Sequence, residues 1–229
     1  MIYLLFHFQK LTRLRSLNIG LDSFFDNLGD IYHILFQFST LNYLKLTIPD
    51  NELLDIDFPM SNDHFSSLKY LIVNHCVTLN QMIELLQNTR ELVQLNCCHV
   101  VGLEDDIIST KSVNLPKLKR LIINLNDVDF DEFHGFLIKL CSQLEYFTVS
   151  IEGLDKSYLD GDRWEEFITK EMIHLKEFQF SFVDFIYDPI TDPFYSSISR
   201  FASSFWIERK WIFGISLKDG YMTYSIRPS

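Results

Sequence analysis

The stretch LKRLII at residues 118–123 decides the fold, because its spacing of apolar residues recurs along the chain. If Phe, Ile, Val or Cys is allowed at the later apolar places, the pattern L-x-x-L-x-L occurs six more times. These stretches are LRSLNI from Leu14, LNYLKL from Leu41, LKYLIV from Leu68, LVQLNC from Leu92, LEYFTV from Leu144 and LKEFQF from Leu175. The intervals between their first leucines are 27, 27, 24, 26, 26 and 31 residues. A nearly constant period of this length indicates a repeat architecture.

Each repeat combines a strand pattern with a helix pattern. The last two apolar residues of the motif alternate with other residues, which is the period of a strand. Amphipathic stretches lie between the motifs, and SFFDNLGDIYHILFQF at residues 23–38 is one of them. Thr78 with Gln81 and Asp129 with Glu132 predict helix starts of the capping-box type. Asp162 and Glu165 mark the start of a further helix, whose apolar residues fall at helical spacing at Trp164, Phe167, Ile168 and Met172.

The predicted fold is an α/β leucine-rich repeat solenoid, shaped as a horseshoe. A parallel β-sheet forms its concave face and helices form its convex face. We place an array of about seven units at residues 1–182 and a C-terminal capping segment at residues 183–229. The stretch VGLEDDIISTKSVNLPK at residues 101–117 has a weaker helix pattern, which favours a short or irregular connection.

The two ends of the array differ in how their apolar surface is covered. TDPFYSSISRFASS at residues 191–204 predicts a helix, and KWIFGISLKDGYMTYSI at residues 210–226 predicts a hairpin around a Lys-Asp-Gly turn. The aromatic residues of this hairpin favour a cap on the last unit, and a partner-binding aromatic patch is the alternative. The opening MIYLLFHFQKLT is short and apolar, so we expect this end to fray or self-associate.

Composition and charge exclude several classes of protein. The chain is 47% hydrophobic and 15% aromatic, which excludes a disordered chain. Its formal net charge of −11 argues against a nucleic-acid partner or an anionic membrane surface. No apolar run approaches the roughly 20 residues that span a bilayer. Four cysteines with no framework spacing, and no signal peptide, predict an intracellular protein of the cytoplasm or nucleus that is not secreted.

The cysteine and histidine cluster is explained by the repeat. In LVQLNCCH at residues 92–99, Cys97 takes a core leucine's place and Cys98 points outward. Cys76 stands at the polar place that ends the motif, and we expect His75 and His99 to stack in neighbouring units. A zinc site is the alternative, but the side chains of Cys97 and Cys98 point to opposite faces of the strand. We therefore predict no metal site.

No sequence pattern predicts catalysis. The chain lacks a P-loop, G-x-G-x-x-G, H-E-x-x-H and G-x-S-x-G, and the register aims no nearby serine or cysteine at a histidine. The stretch DVDFDE at residues 127–132 begins like a calcium loop but lacks the glycine at its sixth place. We expect no enzymatic activity, no catalytic residues and no cofactor.

The third and fifth places of the motif predict a binding surface. They alternate with core residues, so they face the inner wall of the sheet, where Glu177 is the one acidic residue. Tyrosine and arginine dominate interface energetics, and exposed isoleucines favour a cover. The predicted partner-binding residues are Tyr43, Lys45, Tyr70, Ile72, Gln94, Arg120, Ile122 and Tyr146. We expect a protein or peptide partner there; the alternative is that such residues merely suit strands.

The residue after each first leucine predicts a basic rim. Four of these seven residues are basic in an acidic chain, and stacking of the units should align them along one edge. They are Arg15, Lys69, Lys119 and Lys176. The functional interpretation is steering of an acidic partner, and the alternative is pairing with the chain's own acidic groups.

The motifs resemble the cysteine-containing, ribonuclease-inhibitor-like class of leucine-rich repeats. The segments LPKLKRLIINLNDVDFDEF, CSQLEYFTVS and HLKEFQFSF, with the aromatic tail DPFYSSISRFASSFWIERKWIFGI, look like the repeat region of F-box leucine-rich repeat proteins. In that family an N-terminal F-box docks the adaptor of a ubiquitin ligase and the repeats recruit the substrate. The resemblance implies a substrate-recognition role, with ubiquitin ligase components as partners if an F-box precedes the array. Met1 opens almost directly into the first unit, so no F-box residue is carried over; a stand-alone regulator or inhibitor is the alternative.

Overall fold

The computed structural model shows one nine-stranded sheet with helices packed on one side. It describes residues 5, 7, 11–21, 28–49, 53, 56, 58, 66–102, 108–185, 199–218 and 220–229. The strands are β1 (Ser16–Gly20), β2 (Tyr43–Thr47), β3 (Tyr70–Thr78), β4 (Gln94–Val101), β5 (Arg120–Asn126), β6 (Tyr146–Glu152), β7 (Glu177–Phe185), β8 (Trp211–Lys218) and β9 (Tyr221–Pro228). The α-helices are α1 (Leu28–Phe36), α2 (Leu79–Leu86), α3 (Phe130–Ile138), α4 (Gly161–Glu171) and α5 (Ser204–Glu208).

The sheet follows the order of the chain. Strands β1 to β7 pair in parallel with their sequence neighbours, and the full order is β1-β2-β3-β4-β5-β6-β7-β9-β8. Each of these seven strands begins at the third place of an L-x-x-L-x-L motif, and equal places lie side by side. The prediction of an α/β protein with a parallel sheet and a C-terminal antiparallel hairpin is therefore confirmed.

The apolar places of the motif form the core. Leu71, Leu95 and Leu121, each at the fourth place of its motif, are 0% exposed. They belong to one core cluster with apolar side chains of the helices, such as Met82 of α2. Burial of a leucine stabilises the fold by about 1.5–3 kcal/mol, so the repeated motif supplies much of the driving force. The helices therefore cover the face of the sheet that carries these places.

The core becomes aromatic toward the C-terminus. Phe147 and Phe178 occupy the fourth places of the last two motifs, and the indole of Trp164 packs between their strands and α3. The Trp164 Nε1–H donates to the carbonyl oxygen of Tyr158 at 2.9 Å, and the Tyr158 hydroxyl donates to the carbonyl oxygen of Val128 at 3.0 Å. Both buried polar groups are thus satisfied, which the low dielectric of a core demands.

The predicted helix starts were partly right. Thr78 and Gln81 form the expected capping box at α2, with both hydrogen bonds present. At α3 the helix begins after Asp129 as predicted, but the predicted capping box is wrong, because the Asp129 side chain makes no cap hydrogen bond. Asp155, from the connection after β6, instead accepts from the N–H of Phe130 at 2.7 Å.

Helix α4 begins two residues earlier than predicted. Asp160, and not Asp162, is its N-cap residue, and its Oδ1 accepts from the N–H groups of Asp162 and Arg163 at 3.0 and 3.4 Å. The predicted helical face is confirmed, since Trp164, Phe167, Ile168 and Met172 are all buried. The stretch at residues 23–38 forms α1 over its described part, and residues 108–119 contain no helix, as the weak pattern favoured.

Two irregularities in the central strands change the expected neighbours. The register of β3 against β4 shifts between Val73 and Cys76, and that of β4 against β5 shifts between Cys97 and Val100. As a result His99 pairs with Cys76. The predicted stacking of His75 on His99 is wrong, because β3 holds one more residue than β4 in this stretch.

The C-terminal hairpin joins the main sheet. Strand β9 pairs antiparallel with β7, and β8 pairs antiparallel with β9. Trp206, Trp211 and Ile226 are buried against the aromatic core, so the hairpin and α5 cover the end of the array. The helix predicted at residues 191–204 is observed as a 3-10 turn at Ser199–Ala202 followed by α5, and residues 191–198 lie outside the described part. None of the helices described has the length and apolarity that crossing a bilayer requires.

Candidate functional site

The open face of the sheet is the side of β1–β7 formed by the third and fifth motif places. The third places lie side by side in the order Ser16, Tyr43, Tyr70, Gln94, Arg120, Tyr146 and Glu177. The fifth places follow the same strands as Asn18, Lys45, Ile72, Asn96, Ile122, Thr148 and Gln179. The structure therefore brings all eight predicted partner-binding residues onto one surface.

The side chains of this face are accessible to solvent, whereas those of the opposite face are buried. Tyr70 is 43% exposed, whereas its chain neighbour Leu71 on the core side is 0% exposed. The other predicted residues are half-buried, because neighbours in the same row cover their flanks: Tyr43, Lys45, Ile72, Gln94, Arg120, Ile122 and Tyr146. Side chains in this state present area to a partner and lose little freedom when it binds.

An arginine–tyrosine pair lies on strands β5 and β6 of the open face. The guanidinium carbon of Arg120 lies 4.1 Å from the ring centroid of Tyr146, its neighbour in the third-place row. A guanidinium held over a ring by a cation–π contact keeps its N–H donors at its edge, where they remain able to bind an acceptor. The pair thus fixes a cation and a large apolar plane in one place.

The charge of the open face differs from that of the whole chain. Glu177 is the acidic member of the two rows, and its Oε1 accepts from the Gln179 Nε2 at 2.7 Å. Lys45 and Arg120 are basic members of the same rows. A chain with a formal net charge of −11 therefore turns a weakly basic, tyrosine-bearing surface toward one side.

A pocket at one end of the open face was not predicted from the sequence. It has a volume of about 320 Å³ and lies where β6 and β7 meet β9. Its polar lining consists of Thr148, Ser150, Gln179, Ser181 and Arg227. The repeat motif predicts that the first four residues face this side of the sheet. It does not predict the position of Arg227, because the pairing of β9 with β7 has no signal in the repeat.

A second pocket, of about 370 Å³, lies at the carboxyl ends of β3–β6. It is lined by Cys76, Cys98, His99, Val101, Asn124, Leu125, Asn126 and Glu152. Burial raises the pKa of the Cys76 and Cys98 thiols, so both are protonated and weakly nucleophilic at neutral pH. Within the described residues, no three histidine, cysteine or acidic side chains are placed to hold a metal ion.

The other cysteines and His75 are part of the core. The Cys97 sulfur lies 3.5 Å from the Met82 sulfur, and burial raises the pKa of the Cys97 thiol strongly. Tyr32 and His75 form a buried pair whose hydroxyl oxygen and Nε2 are 2.7 Å apart. Burial lowers the pKa of His75 to about 4, so its imidazole is neutral. The cysteine and histidine residues that lie close together in the sequence are therefore divided between the core and this pocket.

The predicted basic rim is a continuous row, and two of its four basic residues share one acidic partner. Backbone hydrogen bonds connect Arg15, Asn42, Lys69, Val93, Lys119, Glu145 and Lys176 across consecutive strands. Lys119 Nζ and Lys176 Nζ each lie 2.6 Å from one carboxylate oxygen of Glu145. These two ammonium groups lower the pKa of Glu145 to about 2. Arg15 and Lys69 form no ion pair with the described residues, so the basic character is retained at the other end of the row.

Comparison with family models, with curated proteins and with solved structures gave no match to this chain.

Proposed function

We propose that the chain is a leucine-rich repeat solenoid whose open face is the concave wall of a horseshoe. Three features support this fold. The strands follow sequence order at intervals of 24–31 residues, equal motif places stand in rows, and the helices that the structure describes pack on the core side. Each repeat unit is wider on the side of its helix than on the side of its strand. Stacked units therefore curve toward the open face of the sheet.

We further propose that the open face binds another protein or an extended peptide, and that the chain is not an enzyme. The observation that carries the proposal is the row Tyr43, Tyr70, Gln94, Arg120 and Tyr146, on the sheet face opposite the helices that the structure describes. Tyrosine and arginine are enriched among the residues that contribute most to binding free energy. Ile72 and Ile122 lie in the adjacent row and add apolar area.

The size of the face suits such a partner. Seven strands spaced by about 4.8 Å extend over roughly 29 Å from β1 to β7. The strands are five to nine residues long, or roughly 17–30 Å. The area of the face is therefore of the same order as the roughly 800 Å² that one partner contributes to a standard interface. The basic residues of the face and Lys69 on the rim favour a partner segment that is neutral or acidic.

The biological role follows from the resemblance to F-box leucine-rich repeat proteins. The face would recruit a substrate for a ubiquitin ligase in the cytoplasm or nucleus, with no cofactor, nucleic acid or membrane involved. The alternative role is that of a stand-alone regulator or inhibitor that occludes its partner. Both roles use the same surface, so the experiment that locates the surface serves both.

The test is affinity purification of an interactor followed by measurement of its binding to alanine variants. We expect Tyr70→Ala and Tyr146→Ala each to weaken binding by about tenfold or more, the usual size of a strong interface contact. Tyr221→Ala is the matched control, because Tyr221 is 40% exposed, close to the 43% of Tyr70, but lies on the hairpin. Undiminished binding by both open-face variants, with their folding intact, would place the site elsewhere.

A further inference from the structure

The outer edge of β8 is a second surface able to bind a protein segment. Strand β8 is the last in the sheet and pairs with β9 alone among the strands described. Its eight residues extend over about 27 Å. An edge strand presents a row of backbone N–H and C=O groups that can pair with an added strand.

The register identifies which backbone groups point outward. Lys218 and Tyr221 are paired across a two-residue turn, and the pair next to such a turn exchanges both of its hydrogen bonds. Hydrogen-bonded pairs then alternate along the hairpin, so Gly214 and Ser216 bond to β9. The N–H and C=O groups of Phe213, Ile215 and Leu217 consequently point away from β9, toward the open edge.

The side chains of β8 offer apolar surface on both sides of this edge. Ile212, Ile215 and Leu217 are 59%, 49% and 67% exposed. Ile212 lies on one face of the strand and the other two lie on the opposite face, because successive side chains alternate. Proteins commonly blunt an edge of this kind, and exposed apolar residues on an unpaired edge strand favour an added strand.

Basic residues outnumber acidic ones in the sequence around the edge, where Glu208 precedes Arg209 and Asp219 follows Lys218. Arg209 and Lys210 precede β8, Lys218 ends it, and Arg227 lies on β9 opposite Ile212. All four side chains are exposed. The guanidinium of Arg209 lies 3.9 Å from the ring centroid of Phe205 and 5.6 Å from that of Trp211, which holds it beside the start of the strand.

A second copy of the chain would meet like charges in the antiparallel register that is centred on Gly214. If two β8 strands paired antiparallel about Gly214, Lys210 of each copy would lie opposite Lys218 of the other. Like charges directly opposite each other destabilise a pair of strands. An acidic strand would instead meet these lysines with complementary charge.

We propose that the outer edge of β8 binds an extended acidic segment of a partner protein as an added β-strand. The segment would carry apolar residues at alternate positions to contact Ile215 and Leu217, and Asp or Glu at its ends to meet Lys210 and Lys218. Backbone hydrogen bonds supply the pairing, and the side chains supply the selectivity. This surface is separate from the open face and does not depend on its function.

The first test uses a fluorescein-labelled peptide of sequence EEVTVTVEE, with KKVTVTVKK as the charge-reversed probe. Anisotropy should show binding of the acidic peptide to the full chain, weaker by at least about tenfold for the basic one. Leu217→Pro removes an outward N–H and leaves the bonds to β9, as an edge strand tolerates. We expect it to weaken binding by about tenfold or more, whereas the matched Leu217→Val, which keeps both the N–H and an apolar side chain, changes binding by less than about threefold.

Amide hydrogen exchange provides a measurement on the unaltered chain, in case Leu217→Pro fails to fold. Addition of the acidic peptide should slow exchange at Phe213, Ile215 and Leu217, and leave the open-face strands β3–β6 unchanged. Unprotected amides at these three residues, equal binding of the two peptides, or equal binding by Leu217→Pro and Leu217→Val would overturn the proposal. So would a concentration-dependent dimer that Leu217→Pro abolishes, since the occupant would then be a second copy.

Discussion

Cys97 shows how a reactive residue type becomes a structural one. It is 0% exposed, it contacts Met82, and its place in the motif is that of a core leucine. A small apolar side chain in a closed core contributes by filling volume. The same motif that places Cys97 inside leaves Cys98 half-buried on the other side of the strand.

We predict that Cys97→Ala destabilises the chain by about 1–2 kcal/mol, through loss of buried contacts and a residual cavity. Urea unfolding followed by circular dichroism measures this change. Cys98→Ala is the control and should change the free energy of unfolding by less than about 0.5 kcal/mol. A reversed ranking of the two variants, or one zinc per chain in elemental analysis, would contradict the structural role.

His75 makes the stability of the core depend on pH. Its pKa is about 4 in the folded chain, below its ordinary value of 6.5, chiefly because of burial. The unfolded chain therefore takes up a proton at a higher pH than the folded chain does. The stabilisation is complete above pH 6.5 and decreases as the pH falls from 6.5 toward 4.

We expect this residue to reduce the free energy of unfolding by roughly 1 kcal/mol between pH 7.5 and pH 5.5. The measurement is urea unfolding at both pH values for the wild type and for His75→Gln, which cannot titrate. Because the other titratable groups are shared, the difference between the two slopes isolates His75. Parallel pH profiles would show that the imidazole titrates alike in both states.

At the scale of the elements, helix α3 depends on its neighbour in the array. Asp155 lies 25 residues beyond Phe130, yet its Oδ2 accepts from the N–H of Phe130, and its Oδ1 accepts from Ser157 at 2.9 Å. A capping side chain from the next connection couples two units, whereas the Thr78 box at α2 is local. Unit-to-unit coupling of this kind raises the cooperativity of a stacked array.

We predict that Asp155→Ala costs about 1–2 kcal/mol of stability, the usual range for loss of a helix cap. Asp129→Ala is the matched control, since the Asp129 side chain makes no cap hydrogen bond at the same helix. It should cost less than about 0.5 kcal/mol in the same urea titration. An equal or larger cost for Asp129→Ala would assign the cap to the residue that the sequence pattern indicated.

The elements also show where sequence reasoning reaches its limit. The strand places were predictable, because one periodicity fixes both the register and the buried side of every strand. The capping of α3, the Tyr32–His75 pair and the neighbours of His99 were not. Each depends on contacts between units, or on an extra residue in a strand, and neither leaves a mark in the local pattern.

At the scale of the whole molecule, stability is expected to vary along the sheet. Leu17 of β1 is half-buried, whereas the equivalent Leu44, Leu71 and Leu95 are 0% exposed. The strand at this end therefore gains less free energy from burial than the strands in the middle. The hairpin at the opposite end covers the aromatic core there.

We expect the amides of β1 to exchange with solvent through openings at least about 2 kcal/mol less costly than those of β4–β6. Native-state hydrogen exchange read residue by residue measures these free energies. The comparison of β1 with β4–β6 within one sample controls for intrinsic rates. Protection of β1 equal to that of β4–β6, in a monodisperse monomer, would contradict the prediction.

The open face remains the feature that gives the molecule a proposed purpose. Its residues could be predicted from the motif alone, because successive side chains of a strand alternate between the open face and the core. What the motif did not indicate was the contribution of the hairpin, which places Arg227 beside Thr148 and Gln179 and adds a second edge. The pairing of β9 with β7 depends on tertiary contacts outside the repeat motif, so the motif does not predict it.

The most direct measurement compares two arginines that differ in the side of the sheet they occupy. Arg120 lies 4.1 Å above the Tyr146 ring on the open face, and Arg163 lies 4.1 Å above the Phe130 ring on the helical side. Both are half-buried. The quantity to measure is the dissociation constant of the purified interactor by calorimetry, for the wild type, Arg120→Ala and Arg163→Ala. The proposed function predicts an increase of about tenfold or more for Arg120→Ala and less than about threefold for Arg163→Ala. Equal effects, or a larger effect of Arg163→Ala, would contradict binding at the open face.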